Sequence, residues 1–294
     1  MNGTTGNWIS IHVGIEGDMN IFLENILMPL LEGITDKYDR YFFIRYFDPS
    51  PHIRIRILPA EGINFDVLAT EVAGSLHHTM RGNSEQQGFS LLSITNVEYE
   101  PEVERYGGPV AIGIAERHFM MSSNLVLSLL RSQDNWVYAD SLGSAIRIHL
   151  AFLQTINLST EVKTALVSKV HEGWLAHFLY LCPGVEREVI LTAFNKAYEK
   201  QRDVLMANMG VLSAASDMDL REEPLFWMAG WVEHIKIVDR QLSDLFSEEE
   251  EKEEMIAGIY ESYMHMTNNR LGINNIDESF IAYILLNLFE DYFH

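Results

Sequence analysis

The hydrophobic period of the chain changes once along its length, and that change limits the fold more than any other feature. Up to about Tyr99 the strongest apolar signal repeats every second residue, whereas after Gly107-Gly108-Pro109 it repeats every three to four. In Trp8-Ile-Ser-Ile-His-Val-Gly-Ile15 the isoleucines and Val13 fall on one side and Ser10, His12 and Gly14 on the other, the alternation of a strand. A helix is expected from about Asp18, a good N-cap, to Glu32, stopped by Gly33, with Pro29 counting against its last turn. Tyr41 to Phe47 and His52 to Leu58 read as two strands, joined as a hairpin through Asp48-Pro-Ser-Pro51. Asp66 to Arg81 reads as a helix ending at Gly82, and Leu91 to Tyr99 as another strand.

Pro109 fits a first helical turn, where its missing N–H is not needed. Helical spacing then runs through Leu130 and returns near 134–156, 160–181, 185–209, 222–246, 248–269 and 277–292. Strands followed in a block by helices predict an α+β fold, strand-rich over 1–108 and helical over 109–294. With no internal repeat and no low-complexity linker, a single compact unit over 1–294 is expected. The run Glu248-Glu-Glu-Glu-Lys-Glu-Glu254 reads as a solvated helix start, with Ser247 and Glu250 as a capping box and acids placed to favour the helix dipole.

Charge excludes one class of function. There are 42 acidic against 21 basic residues in the 294, a formal net charge of -21, which rules out a non-specific nucleic-acid binder. An apolar content of 47% makes the chain globular rather than disordered. The single cysteine, Cys182, permits no internal disulfide and no multi-cysteine zinc site, and fits a reducing compartment. The opening MNGTTGNWISIHV lacks the basic stretch and apolar core of a signal peptide. No apolar run approaches the ~18 residues of a membrane span. A cytoplasmic protein that meets neither membrane nor nucleic acid directly is therefore expected. There is no GxGxxG, no GxxxxGK[ST], no HExxH and no GxSxG, and neither a cofactor nor a metal is expected. Cys182, within reach of a thiol-nucleophile reading with His171 or His177, lacks the electropositive setting that reactivity needs and reads as an ordinary semi-buried residue.

The few cations are clustered. Between Arg40 and Leu58 stand Arg40, Arg45, Arg54 and Arg56 against one acid, Asp48. In a strand His52, Arg54 and Arg56 share one face and Ile53, Ile55 and Ile57 the other, so a histidine and two arginines project in a row from rigid backbone. A guanidinium is a planar fork of donors suited to carboxylates, phosphates or an oxyanion; salt bridges to the protein's own acids are the alternative. A second cluster, Tyr99-Glu-Pro-Glu-Val-Glu-Arg-Tyr-Gly-Gly108, places Glu102 and Arg105 three apart on a Gly-ended loop, where they either face one pocket or simply line a solvated connection. The third is Met264-His-Met-Thr-Asn-Asn-Arg-Leu-Gly272. His265 there is either a proton-transfer group or an ordinary histidine, and Asn268 and Asn269 either belong to a site or end a helix with Gly272.

Taken together the clusters resemble the lantibiotic dehydratase C-terminal family, also described as the thiopeptide-type bacteriocin biosynthesis domain. The resemblance covers nearly the whole chain: the opening from Trp8, Phe42-Phe-Ile-Arg-Tyr-Phe-Asp-Pro49 with His-Ile-Arg-Ile-Arg56, the Tyr99 to Gly108 loop and His265-Met-Thr-Asn-Asn-Arg-Leu271 occur in the family's order. It implies that a separate glutamyl-tRNA-dependent transferase glutamylates Ser or Thr of a precursor peptide, and that this chain, resembling only the second module, eliminates glutamate to leave dehydroalanine or dehydrobutyrine. By the same resemblance Arg54, Arg56, Glu102, Arg105 and His265 are the expected elimination residues. His52, Tyr106, Asn269 and Arg270, from the same motifs, are the expected substrate contacts. Arg56 and Arg105 would hold the glutamyl group with Arg54 in support, His265 would move the proton, and Glu102 would orient an arginine or the histidine. Stand-alone relatives of the same fold are pyridine synthases, which join two dehydroalanines and expel the leader peptide. A non-catalytic peptide-holding subunit is the third reading, and the apolar helical faces allow a homodimer.

Overall fold

In the computed structural model, which describes residues 8–81, 88–215 and 226–293, the opening alternation becomes strand β1 (Ile9–Gly17). Asp18 then caps the first helix as its sequence suggests, its carboxylate accepting the Asn20 N–H at 2.7 Å. This helix is composite: α1 (Met19–Phe22), a π-helical turn (Leu23–Leu27) and α2 (Met28–Gly33). The Met28 N–H reaches back to the Leu23 carbonyl. That wider turn ends just before Pro29, whose ring would collide with the carbonyl four residues back in a regular helix. Pro29 therefore alters the helix without ending it.

The expected hairpin is β2 (Tyr38–Tyr46) and β3 (His52–Pro59). Helix α3 (Phe65–Arg81) and strand β4 (Phe89–Asn96) complete an antiparallel sheet of order β2-β3-β1-β4. Strand–helix–strand–strand–helix–strand with β1 and β3 in the centre is a split βαβ arrangement. The predicted end of α3, Gly82, lies outside the described residues. β4 stops three residues short of the predicted Tyr99: after Val97 donates to the Ser10 carbonyl at 3.0 Å the chain leaves the sheet, freeing Tyr99 for another role.

Register sorts the side chains. Val13, Ile11 and Ile9 stand opposite Ile53, Ile55 and Ile57, and Arg45, Phe43 and Tyr41 stand opposite the same isoleucines from the other side. Every apolar member of this layer is buried. Helix α4 (Ala111–Ser132) runs along β2, where Tyr41 Oη donates to Asn124 and the Phe43 N–H to Ser123 Oγ at 3.3 Å. The Ile112 N–H bonds the Gly108 carbonyl at 3.1 Å, and Pro109 lies in that turn just ahead of α4 and its N-cap Val110, where no donor is missed.

The chain divides into two compact units at Trp136/Val137, so α4 belongs with the sheet and not with the later helices. The second unit comprises α5 (Tyr138–Thr155), α6 (Thr160–Leu181), α7 (Arg187–Ala215), α8 (Phe226–Leu245), α9 (Lys252–Leu271) and α10 (Asn275–Phe293). Helix α10 packs against α5, α6 and α7, and α5 against α8 and α9. The expected capping box at Ser247 is not formed. Glu251 precedes the first turn of α9, while the Ser247 hydroxyl turns back to the Asp244 carbonyl at 2.9 Å and finishes α8. Among the acids, Glu253 instead accepts the Ser159 hydroxyl at 2.8 Å and its N–H at 3.2 Å, tying α9 to the start of α6. The α9–α10 turn is a Schellman closure: left-handed Gly272 (φ 77) donates to the Asn269 carbonyl, and Ile273 to that of Asn268, each at 3.0 Å. Asn274 then caps α10, its side chain accepting the Asp277 N–H at 3.1 Å. No helix of the described residues is long and apolar enough to cross a membrane.

Gly17 closes β1 where β4 begins, with φ +101 and room for no side chain: an added Cβ would lie 2.6 Å from the Gly88 carbonyl oxygen and 2.9 Å from Phe89 Cα. Because both obstacles are backbone, Gly17→Ala should cost about 1–3 kcal/mol. Urea unfolding of variant and parent measures the difference.

Candidate functional site

The four clustered arginines of the hairpin have separate fates. Arg45, on the isoleucine face, is buried and donates to Asn20 Oδ1 at 2.6 Å, with Asp18 close enough to favour its charge; burial pulls its guanidinium down to about 10. Arg40 is an ion-pair residue, bonded to Asp39 at 2.8 Å and to Glu116 of α4 at 3.0 Å. Arg54 and Arg56 remain, and neither meets a carboxylate among the described residues.

Their partners are neutral. The Arg54 guanidinium lies 3.5 Å from the centre of the Tyr46 ring and its Nε donates to His52 Nε2 at 3.2 Å. His52 bonds the Ser50 carbonyl through Nδ1 at 2.8 Å, which fixes its proton on that nitrogen and leaves Nε2 to accept. Arg56 Nη2 stands 3.1 Å from His12 Nε2 on the neighbouring strand, and its guanidinium lies 5.6 Å from the Tyr99 ring centre. His12 and His52 stack with ring centres 5.1 Å apart. Burial, with Arg56, Arg54 and His52 alongside, lowers His12 to about 4, so at neutral pH it accepts from Arg56 and adds no charge. Arg56 is 6% exposed, and its Nε is buried without a hydrogen-bond partner among the described residues. Burial and Arg54 lower Arg56 to about 10, which still leaves it charged. Two cations two residues apart on one rigid strand, held by ring faces and imidazoles, keep donor capacity for an anion.

Tyr99 supports this face. Its ring packs edge-on against Trp8 and Phe42, at 5.3 and 5.8 Å between centres. It also shares a hydrogen bond with Glu116, and burial pushes both the phenol and that carboxyl upward. The next loop is more open: Glu102 and Arg105 bind each other at 2.9 Å and are both exposed. Glu102 is thus the ion-pair partner of Arg105. Tyr106 is buried, edge-on to Phe119 at 5.0 Å, and Arg105 lies 5.8 Å from its ring centre.

His265 belongs to the second unit, on α9. Its Nδ1 is 2.9 Å from Glu278 Oε1 of α10, its ring packs 5.0 Å from that of Trp174, and Nε2 has no hydrogen bond among the described residues. Glu278 is 1% exposed and also accepts from Asn268 Nδ2 at 3.1 Å; the Asn268 Oδ1 in turn faces His149 Nε2 at 2.7 Å. Burial raises the Glu278 carboxyl above the usual range, with His265 and Asn268 opposing it. Sequence reasoning missed Glu278, His149, Trp174 and His12, and left Asn268 open between a site and a helix end. For Glu278 a signal existed: helical period puts it on the face of Ile281, Ala282 and Leu285, a core position that an acid occupies only with partners. Asn269 is half-buried, and Arg270 is fully buried, donating to the Met266 carbonyl at 2.8 Å.

A family profile described as "Lantibiotic biosynthesis dehydratase C-term" matches residues 8–289. The nisin biosynthesis protein NisB of Lactococcus lactis subsp. lactis is 23% identical over 286 residues, 96% of this chain and 25% of that protein. The chain spans a quarter or less of the curated relatives it matches. Two solved structures share the fold: the tRNA-dependent lantibiotic dehydratase MibB from Microbispora sp. 107891, at 21% identity and TM-score 0.70 over 100% of this chain and 29% of that one, and the pyridine synthase TbtD from thiomuracin biosynthesis, at 15% identity and TM-score 0.71 over 97% and 98%.

Burial lowers His149, 1% exposed, to about 4. The unfolded histidine takes up its proton near pH 6.5 and the folded one only near 4, so stability drops as pH falls through that window. His149 alone should make the protein about 2 kcal/mol less stable at pH 5 than at pH 7, and His12 acts in the same direction. Urea unfolding at both pH values should show the loss, and His149→Gln should reduce it.

Proposed function

The chain belongs to the lantibiotic biosynthesis dehydratase C-terminal family, and we propose that it is the glutamate-elimination lyase of a split dehydratase. Its substrate is a precursor peptide whose Ser or Thr hydroxyl carries a glutamyl ester, installed by a separate glutamyl-tRNA-dependent transferase in the cytoplasm. The observation that carries this reading is the pair Arg54 and Arg56. In a chain with 42 acidic residues, two guanidinium groups on a central strand are held by tyrosine and histidine and by no carboxylate among the described residues.

The chemistry uses such groups directly. In the elimination the Cα–H bond breaks, its electron pair forms the Cα=Cβ bond, and the Cβ–O bond breaks to release the α-amino acid as a carboxylate. Negative charge grows on the amide carbonyl next to Cα and on the departing oxygen. Fixed cationic donors aimed at these atoms lower the barrier, by about 3 kcal/mol for a single donor in comparable oxyanion sites. Arg56 and Arg105 hold the glutamyl group and stabilise that charge, Arg54 supports Arg56, Glu102 orients Arg105, and His265 moves the proton. His52 and Asn269 are assigned to substrate contact, while Tyr106 and Arg270, both buried, are assigned to supporting the site from within. No step calls for a cofactor.

Incubation of the purified protein with glutamylated precursor peptide should show, by mass spectrometry, loss of one glutamate for each dehydroalanine or dehydrobutyrine formed. Leader release from a multiply dehydrated, azole-bearing peptide, without action on the glutamylated one, would make it a pyridine synthase instead. Binding with no mass change to either would make it a peptide-holding subunit. Arg56→Ala and His265→Ala should each lower kcat by about 10²–10³-fold and accumulate glutamylated peptide; full turnover in both would remove the residue assignment.

A further inference from the structure

With Glu278 ionised, each link of the buried chain His149–Asn268–Glu278–His265 has one consistent arrangement of hydrogens when read from its inner end. His149 is buried, and its Nε2 faces Asn268 Oδ1 at 2.7 Å, an atom that only accepts, so the His149 proton is on Nε2. That bond fixes the Asn268 amide, turning its Nδ2 donor to Glu278 Oε2 at 3.1 Å. An ionised carboxylate only accepts, and both of its oxygens face His265 Nδ1, Oε1 at 2.9 Å and Oε2, the one shared with Asn268, at 3.1 Å. The His265 proton is therefore on Nδ1. Nε2 carries the lone pair, in a ring that is 24% exposed and steadied by Trp174 at 5.0 Å.

We propose that Glu278 is a positioning residue, oriented by Asn268 and His149, that holds His265 in the tautomer whose Nε2 is a proton acceptor, making His265 the base that takes the α-proton in the elimination. The proposal rests on the elimination reading for its chemistry, but the tautomer it assigns does not depend on the substrate. In the step, the Cα–H proton passes to Nε2, the imidazolium so formed is stabilised through Nδ1–H by the Glu278 carboxylate, and the proton leaves to water once glutamate has departed. No other acid or base is needed for the balance.

The relay makes a directional forecast. In Glu278→Gln the side chain keeps its shape but gains an NH₂ group. Asn268, fixed by His149, still presents a donor, so the glutamine carbonyl must face Asn268 and the NH₂ must face His265 Nδ1. The NH₂ takes the nearer position, 2.9 Å from Nδ1 against 3.1 Å for the shared carbonyl, and so shifts His265 towards the opposite tautomer, with its proton on Nε2 and no lone pair for the substrate. Exchanging the two groups, in Glu278→Gln with Asn268→Asp, reverses this: the introduced aspartate accepts from both His149 and the glutamine NH₂, and the glutamine carbonyl again accepts Nδ1–H.

Nitrogen-15 chemical shifts of the His265 ring in the full chain, assigned by loss of the signal in His265→Ala, report the tautomer directly. The expected pattern is Nδ1–H in the parent, Nε2–H in Glu278→Gln and Nδ1–H again in the double variant. Turnover of glutamylated peptide should track the tautomer, with kcat lower by about 100-fold or more in the single variant, KM little changed, and most of the rate recovered in the double variant. A parent ring protonated at Nε2, a single variant that keeps Nδ1–H, or a double variant that regains the tautomer without regaining rate would each overturn the proposal. The parent measurement decides even if a variant fails to fold. If the parent shows Nδ1–H but no peptide is dehydrated, the elimination reading fails and the assigned tautomer stands.

Discussion

The two-residue period of β3 fixes which face of the sheet carries charge. Flanked by β1 and β2, this strand sends Ile53, Ile55 and Ile57 into the layer that the helices cover and His52, Arg54 and Arg56 to the other side. A slip of one residue against either neighbour would exchange the two sets, burying guanidinium groups in hydrocarbon and exposing three isoleucines. Packing on one face thus sets the position of the cations on the other. Their directions are held by Tyr46, Tyr99, His12 and His52, which stand on other segments or at the start of the same strand.

The two units handle charge in opposite ways. On the sheet, basic groups stand without acids, and His12 adds no further charge because burial and the arginines hold it in its neutral form. In the helical unit an acid is buried among histidine and amide partners, whose hydrogen bonds oppose the desolvation that raises its carboxyl. The first arrangement leaves donors for an anion to satisfy. In the second, both oxygens of the carboxylate are already engaged, and one nitrogen of His265 is left open.

Much of the sheet is legible in the sequence because alternation is a local property. The same holds for α6, whose bounds, Thr160–Leu181, coincide with the helical spacing. The clustered arginines are visible too, but spacing cannot say which of them find acids: Arg40 meets Glu116 across 76 positions of the chain, and no local pattern reports that. Glu278 is hidden for a different reason. With Asp277 it looks like one of two acids favouring the dipole at a helix start, and only its phase relative to Ile281 and Leu285 sets it apart. Asn268 has a double use that a turn signal conceals. Its carbonyl closes α9, as Asn before Gly suggests, while its side chain does separate work inside the unit. Ser247 shows the converse failure, since a cap-like spacing is present while the chain begins its next helix farther on.

The short connection from Leu271 to Asn275 also acts as an angular gauge. Each residue added to or removed from a helix-to-helix link changes the phase of the second helix by about 100°, the rotation per residue of an α-helix. Gly272, Ile273 and Asn274 spend their backbone and side-chain groups closing one helix and opening the next, so the link has no slack in which such an error could be absorbed. A residue inserted into this turn would therefore carry Glu278 away from His265 even with both side chains retained.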